Sequence, residues 1–119
     1  MQRMSELEVK GKVLENGPLE YLFNGAAIAK ILDFLTTYQT WDYSESDVAK
    51  YSGVNVRTVQ REFPKLATLG LIKHVRTVGK AKMYRLDLES VAGKSVNKLV
   101  FQIAAKRIDR ELKKRRQRQ

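Results

Sequence analysis

The chain has 119 residues, with 23 Lys and Arg against 13 Asp and Glu, a formal net charge of +10 and no cysteine. That length fits one domain with room for an appended helix. No apolar run approaches the roughly 20 residues that cross a bilayer. The first dozen residues carry charges where a secretory signal needs an apolar stretch, and with no thiol, disulfides, thiolate catalysis and zinc fingers are excluded. A cytoplasmic protein with no membrane partner is expected.

The charge is unevenly placed. Residues 1–56 sum to −3, 57–85 to +7, 86–105 to zero and 106–119 to +6. A basic middle and a basic end on an otherwise acidic or neutral chain point to a polyanionic partner more specifically than the total does.

Residues 1–23 read as an N-terminal arm or edge strand: Leu7, Val9 and Val13 alternate with charged residues, and Asn16-Gly17-Pro18 is a turn signal. Asn24 suits an N-cap, and Ile28, Ile31, Leu32 and Leu35 follow at helical spacing. Ser44 then opens a short helix, with Asp47 at N3 and Tyr43 and Val48 at the staple positions, and Gly53 ends it. Asn55 caps a further helix, where Val54 and Val59 again stand at N′ and N4. Two short helices across a Gly-containing turn make a helix-turn-helix.

The second of these helices has two chemistries. Val59, Phe63 and Leu66 gather on one side, and Val56, Arg57, Gln60 and Arg61 on another. Pro64 predicts a kink or break, with the helix resuming to Leu69 and stopping at Gly70. Residues 71–77 and 81–87 form a hairpin with Gly79 at its tip. From Ser90 or Ser95 the chain is helical again. Val96, Leu99, Val100 and Ile103 form one stripe, and Phe101, Ala105, Ile108 and Leu112 a neighbouring one. That surface is wider than one small domain covers, so Leu99, Val100, Ile103, Ile108 and Leu112 are expected to meet a second copy. The closing KKRRQRQ is expected to fray into solvent.

The order helix, helix, turn, helix, hairpin, with Ala49 in the first helix of the motif, Gly53 at its turn and Leu69-Gly70-Leu71-Ile72 opening the hairpin, resembles the winged helix-turn-helix superfamily over residues 24–87. The small size, single wing and basic C-terminal helix are most similar to the archaeal leucine-responsive-regulator-like winged-helix regulators of the Sulfolobales. The resemblance implies a mainly α fold with a small β-hairpin wing and a long C-terminal dimerisation helix over 88–119. It also implies a homodimeric, sequence-selective regulator of transcription that binds double-stranded DNA.

The residue chemistry agrees. Near the start of a major-groove helix, Arg57, Gln60 and Arg61 offer bidentate hydrogen bonds to base edges, and Val56 suits a thymine methyl. Asn55 caps the helix, with its amide in reach of a phosphate. In the wing, Arg76, Lys80, Lys82 and Arg85 suit phosphates or the minor groove. Two alternatives stand beside the regulator: a low-specificity, nucleoid-type architectural DNA binder, and a winged-helix module for protein or RNA. Only Glu62 is acidic in the recognition helix, which disfavours the last.

No catalytic constellation, cofactor motif or metal cluster is visible, so no enzyme and no obvious small-molecule effector is expected. His74 is the only histidine and reads as a strand residue, while Tyr38, Trp41 and Tyr43 read as stapling and core residues. Tyr84 is a candidate for regulatory phosphorylation, since phosphate adds roughly −1.5 to −2 charges among basic wing residues. A Tyr84→Glu protein is expected to bind duplex DNA more weakly in fluorescence anisotropy, and equal affinity would count against that role.

Overall fold

The computed structural model describes residues 16–117, and the expected arm or strand at 7–13 lies outside them. In chain order the elements are α1 (Pro18–Leu22), α2 (Ala27–Thr37), α3 (Glu45–Ser52), α4 (Val56–Thr68), β1 (Ile72–Val78), β2 (Ala81–Leu86) and α5 (Val91–Gln117). Helices predominate, with an antiparallel two-stranded hairpin and a long C-terminal helix.

Helix α2 is buried on nearly every side. Ile31, Leu32, Phe34 and Leu35 fall within the core, and the Thr36 hydroxyl donates to the Leu32 carbonyl at 2.6 Å. Val48 of α3, Val59, Phe63 and Leu66 of α4, Ile72 and Leu86 of the hairpin, and Val100 of α5 complete the same cluster.

Asp33, on α2, is buried with them at 7% exposure. Its carboxylate accepts the Leu19 and Glu20 backbone N–H groups, each at 2.8 Å, which are orphan donors at the start of α1. Burial pushes the Asp33 pKa up, and the two N–H groups oppose that shift. The folded state therefore holds this proton to higher pH than the unfolded chain, so stability falls as pH rises from the ordinary Asp value through the folded one. The Glu20 carboxylate also reaches back to the Gly17 N–H at 3.3 Å. Any Cβ at Gly17 would collide with the Asp33 carboxylate.

Helix α1 is an unanticipated element: the turn signal at Asn16-Gly17-Pro18 is a helix start with proline in the first turn. Asn24 accordingly is not the N-cap of α2. It sits beyond α1 with φ 54°, a conformation Asn tolerates, and Ala26 takes the cap position.

Pro64 does not break α4, which continues through it to Thr68 with Leu69 as its cap. Proline costs about 3 kcal/mol in a helix interior. Phe63 and Leu66, on either side, are 2% and 1% exposed, and burial of such side chains contributes about 1.5–3 kcal/mol each. The basic end departs too: α5 is helical to Gln117 rather than frayed. Lys113 pairs with Asp109 at 3.2 Å and Arg115 with Glu111 at 3.9 Å, both one turn back, and the cations suit the helix C-terminus.

Helix α5 begins at Ser90, whose hydroxyl accepts the Gly93 N–H at 2.9 Å and donates to the Gly70 carbonyl. Gly93 is buried with the Asp87 carbonyl directly against it, leaving no room for a Cβ. Further along, Arg107 donates to the Asn16 carbonyl at 2.6 Å and lies over the Tyr21 ring, which fastens α5 to α1.

In urea unfolding, Gly17→Ala is expected to destabilise the protein by about 2 kcal/mol through displacement of the buried carboxylate. The same change should cost only a few tenths in an Asp33→Ala background, and additive effects would count against the steric coupling.

Candidate nucleic-acid interface

Local capping sets the helix-turn-helix. Ser44 Oγ accepts the Asp47 N–H and Asp47 Oδ2 accepts the Ser44 N–H, both at 3.1 Å, which closes a capping box on α3. Gly53 ends that helix with φ 74°, as expected. Asn55 Oδ1 then accepts the Arg57 N–H at 2.8 Å and starts α4 as its cap.

Because Val59, Phe63 and Leu66 are buried, the opposite side of α4 faces outward. Val56, Arg57, Gln60 and Arg61 are all exposed there, within the first two turns. Arg61 Nε lies 3.2 Å from Glu62 Oε1, and Lys65 Nζ lies 2.7 Å from the other oxygen. Lys65 first and Arg61 second hold the Glu62 carboxyl below its usual range. Arg61 therefore shares its charge with Glu62, while Arg57 and Gln60 make no such pairing among the described residues.

The hairpin turns tightly at Gly79-Lys80, where Val78 faces Ala81. Its central residue Tyr84 is bridged to Tyr43 by two backbone bonds, 2.8 and 2.7 Å, so Tyr43 acts as a one-residue third strand. The pairing runs His74 to Tyr84 and then Arg76 to Met83, with Val75 as the extra residue of a bulge. Directly opposed residues share a face. Tyr84 and His74 thus lie on one face, where the Tyr84 ring meets Phe63 edge-on at 4.9 Å. Arg76, Met83 and Arg85 lie on the other.

The structure separates the four wing cations. Lys80 and Lys82 are exposed near the tip. Arg76 instead grips Asp42 with two bonds, Nε to Oδ2 at 2.6 Å and Nη2 to Oδ1 at 3.1 Å. Arg85 is half-buried and donates to the Gln39 carbonyl at 2.9 Å. The Arg76 guanidinium is the main reason that the Asp42 carboxyl is held below its ordinary value. Tyr84 has a raised pKa, from burial first and the Glu45 charge second. His74 is exposed beside Thr77, Nε2 to Oγ1 at 3.0 Å.

The expected dimerisation residues also divide. Leu99, Ile108 and Leu112 are 43%, 50% and 47% exposed, but Val100 is 1% exposed and must be reassigned to the core, where it seats α5 on the helices beneath. Phe101, at 49%, continues the outward seam instead. Ile103 is half-buried beside a shallow groove of about 360 Å³ that Gln102, Lys106, Arg107 and Arg110 also line. Asp42 and Gln39 are functional neighbours that sequence reasoning missed, because no local motif links either to a residue of the wing.

No protein-family model matches the chain, and no curated protein does. A solved structure does match. The crystal structure of the transcriptional repressor BigR from Xylella fastidiosa aligns with a TM-score of 0.53 over 87% of this chain and 95% of that one, at 18% identity. Likeness at that identity concerns the fold, which is a winged helix with a long C-terminal helix.

In an NMR titration the Asp42 carboxyl is expected to have a midpoint below the ordinary Asp value. Its contribution to stability is present above that value and is lost as pH falls through the depressed midpoint. Arg76→Ala should raise the midpoint toward the ordinary Asp value, and no change on that substitution would show that Arg76 is not the cause.

Proposed function

We propose that the chain binds double-stranded DNA as a homodimer and regulates transcription, with α4 in the major groove and the wing on the backbone or minor groove. The observation that carries this is the outer face of α4. Val56, Arg57, Gln60 and Arg61 stand exposed at the start of a helix whose other side is locked into the core. Arg and Gln at such positions suit guanine and adenine edges. The fold shared with a transcriptional repressor supports the same conclusion.

The second copy would lie along the outward seam of α5, where Phe101, Ile108 and Leu112 are each about half exposed. Two-fold symmetry would then present two recognition helices about one turn of DNA apart, ~34–36 Å. Low-specificity architectural binding is the second reading. It is favoured by the exposed cations that α5 carries at Lys106, Arg110, Lys114 and Arg116.

Sequencing DNA recovered with the protein from its own cells separates the two: sharp recurrent sites support the regulator, and uniform coverage the architectural protein. With a recovered site in hand, Arg57→Ala is expected to cost about 1–3 kcal/mol and relax selectivity at one position. Lys80→Ala and Lys82→Ala should weaken all sequences alike, each reducing the slope of log K against log [salt] by about 0.9. Ile108→Glu is expected to give a monomer in light scattering while leaving the fold intact, and a persistent dimer would place the interface elsewhere.

A further inference from the structure

We propose that Arg76 is a positioning residue that aims the wing through Asp42, and that the wing meets DNA phosphates through Lys80 and Lys82 rather than through Arg76 or Arg85. The proposal rests on the DNA-binding reading above, although the tie itself is a property of the free protein.

The bulge makes the tie. In a regular strand Arg76, two residues after His74, would share its face and point with Tyr84 toward Phe63. The extra residue Val75 turns Arg76 onto the face of Met83. Strand β2 lies between β1 and Tyr43, since Tyr84 pairs with His74 on one edge and with Tyr43 on the other. The Arg76 side chain therefore reaches past the middle strand to Asp42, next to Tyr43 in the α2–α3 connection. It spends Nε and one Nη on the two carboxylate oxygens, a fork that fixes direction as well as distance.

Arg85 on the same face holds the Gln39 carbonyl, and Tyr43 holds Tyr84 by its backbone. Three ties thus connect the hairpin to the connection between α2 and α3. The Arg76 side chain is 62% exposed, and a surface pair of this kind adds little to global stability. Its effect is directional. The tip at Gly79-Lys80 stands three to four residues beyond Arg76, ~10–13 Å at the rise of a strand, so a small rotation at the tie moves Lys80 by a distance comparable to a phosphate contact. Lys80 and Lys82 form no ion pair among the described residues, and their charges are available to a backbone.

The test measures binding to a fluorescent mixed-sequence duplex against salt, for the wild type, Asp42→Asn, Arg76→Ala and the double variant. Asp42→Asn removes a negative charge, which by Coulomb attraction alone would strengthen binding. The positioning role predicts the opposite sign, a loss of roughly three- to tenfold from displaced wing contacts. Arg76→Ala should weaken binding at least as much, with no further loss in the double variant. Binding by Asp42→Asn that is as tight as the wild type or tighter, or a further loss in the double variant, would make Arg76 an independent phosphate ligand and overturn the proposal. Amide hydrogen exchange in the free protein gives a second readout that does not need DNA. Exchange of the amides at Val78 and Ala81 should rise in both single variants, and unchanged exchange in either rejects the tie. If the wild type fails to bind the duplex, the DNA-binding reading falls and the exchange result alone decides the positioning role.

Discussion

A helix buried on almost its whole circumference cannot carry a charged side chain without an internal partner, and α2 is such a helix. Its burial joins the helix-turn-helix, the hairpin and α5 into one core. At Asp33 the requirement is met by backbone donors: two N–H groups of α1 give the carboxylate its hydrogen bonds, and the carboxylate in turn serves as the missing cap of a helix only five residues long. So short a helix has little stability of its own. It exists because a buried anion needs donors. Leu19 follows it into the core, and Tyr21 provides the ring on which Arg107 of α5 rests.

The same core leaves the outer side of α4 with no packing role, so one helix carries two separate sets of side chains. Val59, Phe63 and Leu66 hold the helix even across a proline, while the exposed side chains are free to vary without disturbing it. In the wing the separation is less clean. Arg76 and Arg85 belong to the attachment of the hairpin, and Lys80 and Lys82 to its exposed end. A cation count over 57–85 treats these as one group, but the hydrogen bonds divide them.

Features decided within a few residues were legible in the sequence. Ser44 with Asp47, Gly53 and Asn55 mark the ends of α3 and α4 because capping is a matter of three- and four-residue spacing. The two faces of α4 were legible for the same reason. What escaped depends on distant partners or on pairing register. The cap of α1 comes from a residue 14 positions from Leu19, and the partner of Arg76 lies 34 positions away. The bulge at Val75 leaves no mark in the alternation of a strand that is exposed over most of its length. Val100 escapes for a different reason: the two stripes on α5 are adjacent, and helical spacing alone does not say which of them the core covers.

Gly93 also limits the geometry at larger scale. It lets α5 approach the Asp87 carbonyl at the point where the helix leaves the hairpin. A helix of 27 residues is a lever of ~40 Å, and a tilt of about 10° at its base sweeps the far end through ~7 Å. Along DNA that distance is about two base pairs of the ~34–36 Å repeat between half-sites. If two copies join through α5, the separation of their α4 helices therefore depends on the angle at this glycine, which lies at the buried base of the helix.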